Sequence, residues 1–428
     1  MTSIEMGPFP DVAGYEEALA LDRSDPLSGF RERYLHTDPD LIYLDGNSLG
    51  RAPVAALDRV DEVARKQWGD RMIRAWNDGW WDLQIHLGDK LAPLLGAGTG
   101  EVIISDSTSV NLYKLALSAL MAAPDGRDQV VTDDLNFPSD LYILDAAARQ
   151  AGRTLQIVPS DGINGPVDAL TEAIDDTTAL VSLSHTVFQS GYTYDMAAMT
   201  RIAHEAGAMV LWDCSHSVGA MPVPLGPAGV DLAVGCTYKH LNGGPGSPAF
   251  LYVRRHLQER LENPIAGWWG HADPFALELE YRPVSGIRRF HTGTMPILSL
   301  AAIEPGIDDV LEASVERIRE KSVAMTEYLL TQIREHLETG GFRSASPVDP
   351  DRRGSHVSVR HDDAWPINLA LIERAGVIPD FRAPYTIRLG VSPLYTRFVD
   401  LHTAVQRVVS VVDSGVYRDY EGVVATVT

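Results

Sequence analysis

Cysteine, positive charge and long apolar runs are all scarce in this chain of 428 residues. The two cysteines, Cys214 and Cys236, cannot form a disulfide framework, so we expect a reducing compartment. Lys and Arg number 36 against 58 Asp and Glu, which gives a net charge of −22. Such a surface repels nucleic-acid backbones and anionic lipid, so neither is expected as a partner.

No apolar run reaches the roughly 18 residues that a membrane span requires. Residues 1–10 also lack the basic and apolar stretches of a secretion signal. Apolar residues make up 45% of the chain and charged residues 22%, which is typical of a soluble globular protein. These features predict a soluble cytoplasmic protein that binds no membrane, and no metal site is expected.

Short apolar runs alternate with helical patterns between about residue 97 and residue 235. Strands are predicted at 101–105, 129–132, 155–158, 179–184, 209–212 and 231–235. Helices are predicted at 110–122, 140–151, 167–174 and 196–206. This alternation predicts an α/β fold with a mostly parallel sheet covered by helices, and the apolar strands are expected to be buried on both faces.

The pattern changes after Pro305. One long helix is predicted at 307–337, followed by a polar segment at 339–355. A strand–helix–strand unit follows, with strands near 356–359 and 386–389, and a final helix is predicted at 397–413. We therefore expect a large domain at 51–305 and a small C-terminal α/β domain at 306–428, with residues 1–50 contributing to the small domain and the active site.

Parallel α/β sheets bind ligands at the carboxyl ends of their strands, so polar residues at three predicted strand ends are candidate site residues. Residues 105–111 place hydroxyl groups just before a helix, where free backbone N–H groups attract anions. Asp213 ends a strand, with His216 three residues later, and Lys239 follows the next strand. Taken singly, these features are more typical of a helix cap, a polar loop and a surface charge, respectively, than of a binding site.

The order of these three features predicts an enzyme that uses pyridoxal 5′-phosphate (PLP). In that class an anion site anchors the cofactor phosphate, an Asp keeps the pyridine nitrogen protonated, and a Lys forms a Schiff base. In this chain Asp213 follows the hydroxyl-rich helix start, and Lys239 follows Asp213 by 26 residues.

The chain also resembles the kynureninase family, from residue 43 nearly to the end. The motifs that carry the resemblance are YLDGNSLG at 43–50, DSTSVNL at 106–112, NFPSDLY at 136–142, YKHLNGGPG at 238–246, GWWGH at 267–271, GTMPIL at 293–298, DFRAP at 380–384 and RLGVSPLY at 388–395. The resemblance implies a fold-type-I PLP homodimer with active sites at its interface. It also implies hydrolysis of L-kynurenine, or of a ring-substituted kynurenine, to anthranilate and L-alanine.

The resemblance further implies roles for individual residues. Lys239 is the Schiff-base lysine, and Tyr238 holds the phosphate and donates a proton. Arg388, with Ser48, binds the substrate carboxylate, a planar contact that Arg makes and Lys does not. The other implied cofactor contacts are Thr108, Ser109, Phe137, Asp140, Ser184, Asp213 and His216, with Trp268 and Thr294 supplied across the dimer interface.

Three residues beside the Asp and the Lys depart from the family pattern. Cys214 and Ser215 replace a small apolar pair, and His240 replaces a common Tyr. None of these changes removes an implied role. His240 nevertheless lies next to Lys239, where it can change the chemistry of the pocket.

Other functions of the same fold are alternatives. A cysteine desulfurase or selenocysteine lyase needs a nucleophilic Cys on a loop of the small domain, and residues 339–356 contain no Cys. An aminotransferase is a second alternative. A PLP-binding regulator without activity is a third, but the presence of Lys239, Asp213 and Arg388 argues against it. The implied pathway is tryptophan catabolism through kynurenine, with its link to NAD biosynthesis, and secondary metabolism is the alternative.

Overall fold

The computed structural model describes residues 12–423. In its first part the helices and strands are α1 (Tyr15–Arg23), β1 (Ile42–Tyr43), α2 (Val54–Glu62), α3 (Leu83–Leu91), β2 (Val102–Ile104), α4 (Thr108–Ala122), β3 (Gln129–Asp133), α5 (Pro138–Gln150), β4 (Thr154–Val158), α6 (Val167–Ala173), β5 (Thr178–Ser184), α7 (Met196–Glu205), β6 (Met209–Asp213), β7 (Leu232–Gly235) and β8 (Phe250–Val253). The second part contains α8 (Ile297–Ala301), α9 (Ile303–Ala313), α10 (Val315–His336), β9 (Arg343–Ser344), β10 (His356–Arg360), α11 (Ala364–Ala375), β11 (Val377–Ile378), β12 (Asp380–Arg382), β13 (Thr386–Gly390) and α12 (Phe398–Ser414).

Seven strands form the central sheet in the order β4-β3-β5-β6-β7-β8-β2. The strands from β4 to β7 pair in parallel, whereas β8 pairs antiparallel with both β7 and β2. The prediction of an α/β fold with a mostly parallel sheet is therefore confirmed. Strand β8 was not predicted, because its apolar residues follow a Gly-rich run with no helix before them.

Most central strands are buried along their whole length, including β2, β5, β7 and β8. The edge strand β4 is the exception, because Val158 is its only buried residue. The prediction that every strand is buried on both faces is therefore wrong for β4, although the strand at the other edge, β2, is completely buried.

The C-terminal part contains a second sheet with the order β12-β13-β10-β9, in which all neighbours are antiparallel. The predicted strand–helix–strand unit is present as β10, α11 and β13, and the short strands β11 and β12 were missed. The single helix predicted at 307–337 is wrong, because Ser314 has a left-handed backbone (φ 67°) that separates α9 from α10.

The N-terminal residues connect the two sheets. Strand β1 pairs in parallel with β11, and Ile42 and Leu44 belong to the apolar core of the C-terminal part. Gly50 then donates a backbone hydrogen bond to the carbonyl oxygen of Tyr238, at 2.8 Å. A side chain at Gly50 would collide with the Lys239 carbonyl oxygen, so the close approach requires glycine.

Among residues 12–423 the structure contains no helix that is both long and apolar enough to cross a membrane. Within the same range no group of three or more His, Cys, Asp and Glu side chains is arranged to hold a metal ion.

Candidate active site

A cavity of about 210 Å³ lies at the carboxyl ends of strands β2, β3, β5, β6 and β7, and the second sheet closes it from the other side. Parallel strands bring their carboxyl ends to one edge, which explains why residues far apart in the sequence meet here. The lining residues are Ser48, Thr108, Ser109, Phe137, Ser139, Asp140, Ser184, Phe188, Asp213, Ser215, His216, Tyr238, Lys239, Arg382 and Arg388.

All predicted site residues except Trp268 and Thr294 line this cavity. Those two residues lie outside it, and both are exposed. Two further lining residues, Ser139 and Arg382, had no predicted role. They lie inside the family motifs at 136–142 and 380–384, so the motifs could have identified them as site residues. Phe188 lies in the loop after β5, and its place after a strand end was the only signal.

The amino terminus of α4 forms an anion site at one end of the cavity. Ser107 caps this helix of 15 residues, and its hydroxyl accepts a hydrogen bond from the Val110 backbone N–H at 3.3 Å. The next two residues, Thr108 and Ser109, line the cavity, and their backbone N–H groups have no acceptor within the helix. Together with the positive end of the helix dipole, they suit a phosphate group.

Two carboxyl groups lie together in the cavity. Asp213 ends β6, and its Oδ1 accepts a hydrogen bond from the Ser215 backbone N–H at 2.8 Å. Asp140 lies in the first turn of α5 and is almost completely buried. Burial and the adjacent Asp213 raise the pKa of Asp140 well above its ordinary value, which favours the protonated form of Asp140 as a hydrogen-bond donor to Asp213. The pair therefore carries one negative charge and suits a cationic ring nitrogen.

Lys239 follows β7, and its Nζ lies 2.9 Å from Nε2 of His216. Burial and then the nearby Lys239 lower the pKa of His216 well below its ordinary value, so the ring is neutral and accepts a hydrogen bond from the lysine. Burial, Lys239 and Arg388 also lower the pKa of His240 to about 3. The unusual His240 therefore adds no charge beside Lys239.

An aromatic ring and a phenol complete the cofactor side of the cavity. Phe137 is 43% exposed, and its ring packs edge-on against Phe188, with 5.1 Å between the ring centroids. The thiol of Cys236, followed by burial and Asp213, raises the pKa of Tyr238. Tyr238 therefore keeps its proton at neutral pH and can donate it.

Arg388 lies at the opposite side of the cavity and is completely buried. It faces Asp380 across the β12–β13 pair, and Nε and Nη2 both contact the Asp380 carboxylate. Nη2 also donates to the Ser48 hydroxyl at 2.9 Å, and Nη1 donates to the Phe188 carbonyl oxygen at 2.5 Å. Burial lowers the pKa of Arg388 to about 10, so the side chain remains charged at neutral pH.

A second guanidinium group shares these partners. Arg382 lies 3.1 Å from the Asp380 carboxylate and 3.3 Å from the Ser48 hydroxyl. Its side chain is 35% exposed, whereas Arg388 is completely buried. The cavity therefore has one fixed and one more accessible cation for an anionic substrate group.

The protonated state of Asp140 gives a first prediction. Asp140→Asn retains a neutral hydrogen-bond donor to Asp213 and should change the Kd for PLP by no more than about threefold, whereas Asp140→Leu should weaken binding by about tenfold. Titration of each variant with PLP, followed by absorbance, measures the difference. Asp145→Asn, on the exposed face of the same helix, is the matched control. Equal losses in the Asn and Leu variants would contradict the assigned proton.

These residues fit PLP. The anion site at α4 suits its phosphate, the Asp140–Asp213 pair suits its pyridine nitrogen, the face of Phe137 suits its ring, and Lys239 suits its aldehyde. The fold and the site together define a fold-type-I PLP enzyme.

Comparisons with known proteins identify the family. The chain is 43% identical over 404 residues to the kynureninase of Pseudomonas fluorescens, an alignment that covers 93% of this chain and 95% of that relative. It is also 43% identical over 408 residues to the kynureninase of Burkholderia pseudomallei strain 1106a, covering 94% of this chain and 96% of the relative. The chain therefore belongs to the kynureninase family. The model of the kynureninase C-terminal domain matches residues 318–408, and that of the DegT/DnrJ/EryC1/StrS aminotransferase family matches residues 87–222.

Solved structures with lower sequence identity share the fold. The apo cysteine desulfurase of Thermococcus onnurineus NA1 superposes with a TM-score of 0.76 at 19% identity, covering 96% of this chain and all of that chain. A C-DES variant that carries glycine covalently linked to PLP superposes with a TM-score of 0.74 at 18% identity, covering 86% of this chain and 97% of that chain. At these identities the likeness concerns the fold alone.

Proposed function

We propose that this protein is a PLP-dependent kynureninase. It cleaves the Cβ–Cγ bond of L-kynurenine, or of a ring-substituted kynurenine, with one water molecule to give anthranilate and L-alanine. The observation that carries the proposal is a single cavity that contains Lys239, the Asp140–Asp213 pair and the buried Arg388. The kynureninase relatives, 43% identical over almost the whole chain, support the substrate.

The cofactor side of the cavity supplies binding and orientation. Thr108 and Ser109 at the start of α4 would hold the phosphate, Phe137 would pack against the ring, and Asp213 would keep the ring nitrogen protonated. Tyr238 would be a further phosphate contact, and Ser184 and His216 line the same cavity. When bound, PLP supplies an electron sink for charge that develops on the substrate.

The substrate side of the cavity supplies the residues that bind the α-carboxylate and the residues that transfer protons. The Arg388 guanidinium and the Ser48 hydroxyl bind the α-carboxylate and so place Cα near Lys239. The Nζ atom of Lys239 takes the proton from Cα as general base, next to the neutral ring of His216. Water adds to the γ-carbonyl carbon, so that the Cβ–Cγ bond breaks and anthranilate leaves. Tyr238, which keeps its phenolic proton, then donates a proton to the alanyl β-carbon.

The cysteines argue against a desulfurase. Cys214 and Cys236 are both buried, and they follow β6 and β7 of the central sheet. A desulfurase needs a reactive Cys on an accessible loop of the small domain, and both burial and location differ here. Burial also raises the pKa of both thiols, which disfavours the reactive thiolate.

We propose that the enzyme is a homodimer in which Trp268 and Thr294 reach the partner's cofactor site. Both residues are exposed and lie outside the cavity of their own subunit. Trp268 lies in a cluster of packed aromatic rings with Trp81 and Phe275, and Phe275 is 71% exposed. Exposed apolar surface of this kind is typical of an interface. Size-exclusion chromatography with light scattering should give twice the chain mass.

We also propose two domains, at 51–305 and 306–428, with residues 1–50 contributing to the small domain and the active site. The β1–β11 pair and the shared apolar core support this division, although residues 1–11 and 424–428 lie outside the described part of the chain. We further propose a cytoplasmic location and a small-molecule substrate, with neither nucleic acid nor membrane as a partner. The net charge of −22 supports the last point, because it repels nucleic-acid backbones and anionic lipid.

The deciding experiment measures products. Purified protein with PLP and L-kynurenine should release anthranilate and L-alanine in equal amounts, without a keto acid or pyridoxamine phosphate. Appearance of those two compounds would identify an aminotransferase instead, and absence of any product would favour a regulator. Values of kcat/KM for plain and ring-substituted kynurenines would then separate the kynurenine pathway of tryptophan catabolism, which leads to NAD biosynthesis, from secondary metabolism.

A further inference from the structure

A buried ion pair lies behind the anion site and outside the cavity lining. Lys114 of α4 is completely buried, and its Nζ donates to Oδ2 of Asp106 and to the Phe290 carbonyl oxygen, both at 2.8 Å. The Ser105 hydroxyl donates to the same Asp106 oxygen at 2.9 Å. A buried ammonium group is costly unless it has such partners. Lys114 therefore restrains the positions of both the Asp106 carboxylate and the Phe290 carbonyl oxygen.

Asp106 controls the approach of the chain to the anion site. It has a left-handed backbone (φ 48°), which is uncommon for a residue with a side chain and needs support from its surroundings. Its carbonyl oxygen accepts a hydrogen bond from the Ala249 backbone N–H at 2.9 Å. Two residues later Thr108 begins α4. The position of the Asp106 side chain is therefore linked to the first turn that would hold the phosphate.

Thr292 connects Asp106 to the residues proposed to serve the partner subunit. Its hydroxyl donates to Oδ1 and Oδ2 of Asp106, at 3.0 and 3.2 Å. Its carbonyl oxygen accepts the Trp269 backbone N–H at 3.2 Å, and Gly267 packs so closely against that oxygen that no side chain would fit. Thr292 thus touches the turn that contains Trp268, and it lies two residues before Thr294.

We propose that Thr292 is a positioning residue that couples the phosphate site of its own subunit to the segment that this subunit supplies to the partner's phosphate site. The inference rests on the proposed PLP-binding homodimer. A phosphate bound at Thr108 and Ser109 restrains residues 105–109, and the Asp106 carboxylate passes that restraint to Thr292. Trp268 and Thr294 are then held in the geometry that the second phosphate requires.

Hybrid dimers separate this role from a structural role within one subunit. The reporter subunit is native, and the silent subunit carries Lys239→Ala, so borohydride fixes PLP on the reporter's Lys239 only. The silent subunit is prepared with native Thr292, with Thr292→Val, or with Thr292→Ser. The valine has the shape of threonine but lacks the hydroxyl, whereas the serine keeps it. The concentration of PLP that gives half-maximal labelling is measured for each hybrid.

With Thr292→Val in the silent subunit, the reporter should need roughly three- to tenfold more PLP, because the silent subunit loses its own hydrogen bond from Thr292 to the Asp106 carboxylate and no longer holds its Trp268 and Thr294 for the reporter's phosphate. With Thr292→Ser the value should stay within about twofold of the native hybrid. Thermal melting of each homodimer checks that the variants fold.

Unchanged labelling in the valine hybrid would overturn the inference, and so would a loss seen only when the valine lies in the reporter subunit itself. If the native chain is a monomer, or if borohydride fixes no PLP on Lys239, the proposed function fails instead. Those two results are obtained on the native protein before any hybrid is made, so the two failures are distinguishable.

Discussion

Replacement of Lys239 by alanine should lower kcat for kynurenine cleavage by at least about 1000-fold and still leave measurable PLP binding. The amine is the proposed Schiff-base group and the base at Cα, so its loss removes two functions at once. Thr108, Ser109 and the Asp140–Asp213 pair remain in the cavity and should retain the cofactor by non-covalent contacts. Anthranilate fluorescence measures the rate, and equilibrium dialysis measures bound PLP.

Two other lysines serve as controls for this prediction. Lys90 lies away from the cavity, paired with Glu304 and Asp308, so Lys90→Ala should keep kcat within about twofold. Lys114 lies close to the anion site, but its ammonium group already donates hydrogen bonds to Asp106 and to the Phe290 carbonyl oxygen. Borohydride-fixed PLP should therefore be found on Lys239 only. A label on Lys114, or near-native turnover by Lys239→Ala, would show that the lysine has been assigned incorrectly.

The fold could be predicted wherever one local pattern decided the structure. Short strands alternating with helices gave a repeating signal from β2 to β6, and β7 was predicted as a further short apolar run. The structure contains these strands within one or two residues of the predicted positions. Strand β8 follows β7 without a helix between them and pairs antiparallel, so that alternation did not include it. The break between α9 and α10 is a single residue, Ser314, with a left-handed backbone. Hydrophobic periodicity does not depend on the backbone angle of one residue, so it could not predict this break.

The site could be predicted where its chemistry depends on residue type at a strand end. Asp213 and Lys239 are examples, since their order along the chain already indicated PLP. The raised pKa of Asp140 and the ion pair between Arg388 and Asp380 depend on burial and on distances between strands, which no local pattern contains. The sequence motif at 380–384 contained both Asp380 and Arg382, but only the β12–β13 register shows that Asp380 faces Arg388.

Arg388→Lys should raise KM for kynurenine by roughly 10- to 100-fold and leave the Kd for PLP within about threefold. Arg388 directs three nitrogens to Asp380, Ser48 and the Phe188 carbonyl oxygen, and this network fixes the plane that the substrate carboxylate meets. A lysine has three N–H donors, so contacts to Asp380, Ser48 and the Phe188 carbonyl oxygen would leave none for the substrate carboxylate, whereas the five N–H donors of Arg388 leave one. The loss should therefore fall on substrate binding, which steady-state kinetics and PLP titration separate.

Arg382→Lys is the matched comparison, because Arg382 contacts the same Asp380 carboxylate and the same Ser48 hydroxyl from a more accessible position. If Arg388 is the carboxylate ligand, Arg382→Lys should change KM by no more than about fivefold, since a partly exposed cation in water contributes less to binding than a buried one. If Arg382→Lys instead raised KM more than Arg388→Lys, Arg382 would be the residue that binds the substrate carboxylate. Arg388 would then be the buried partner of Asp380, holding the second sheet against the loop that contains Phe188.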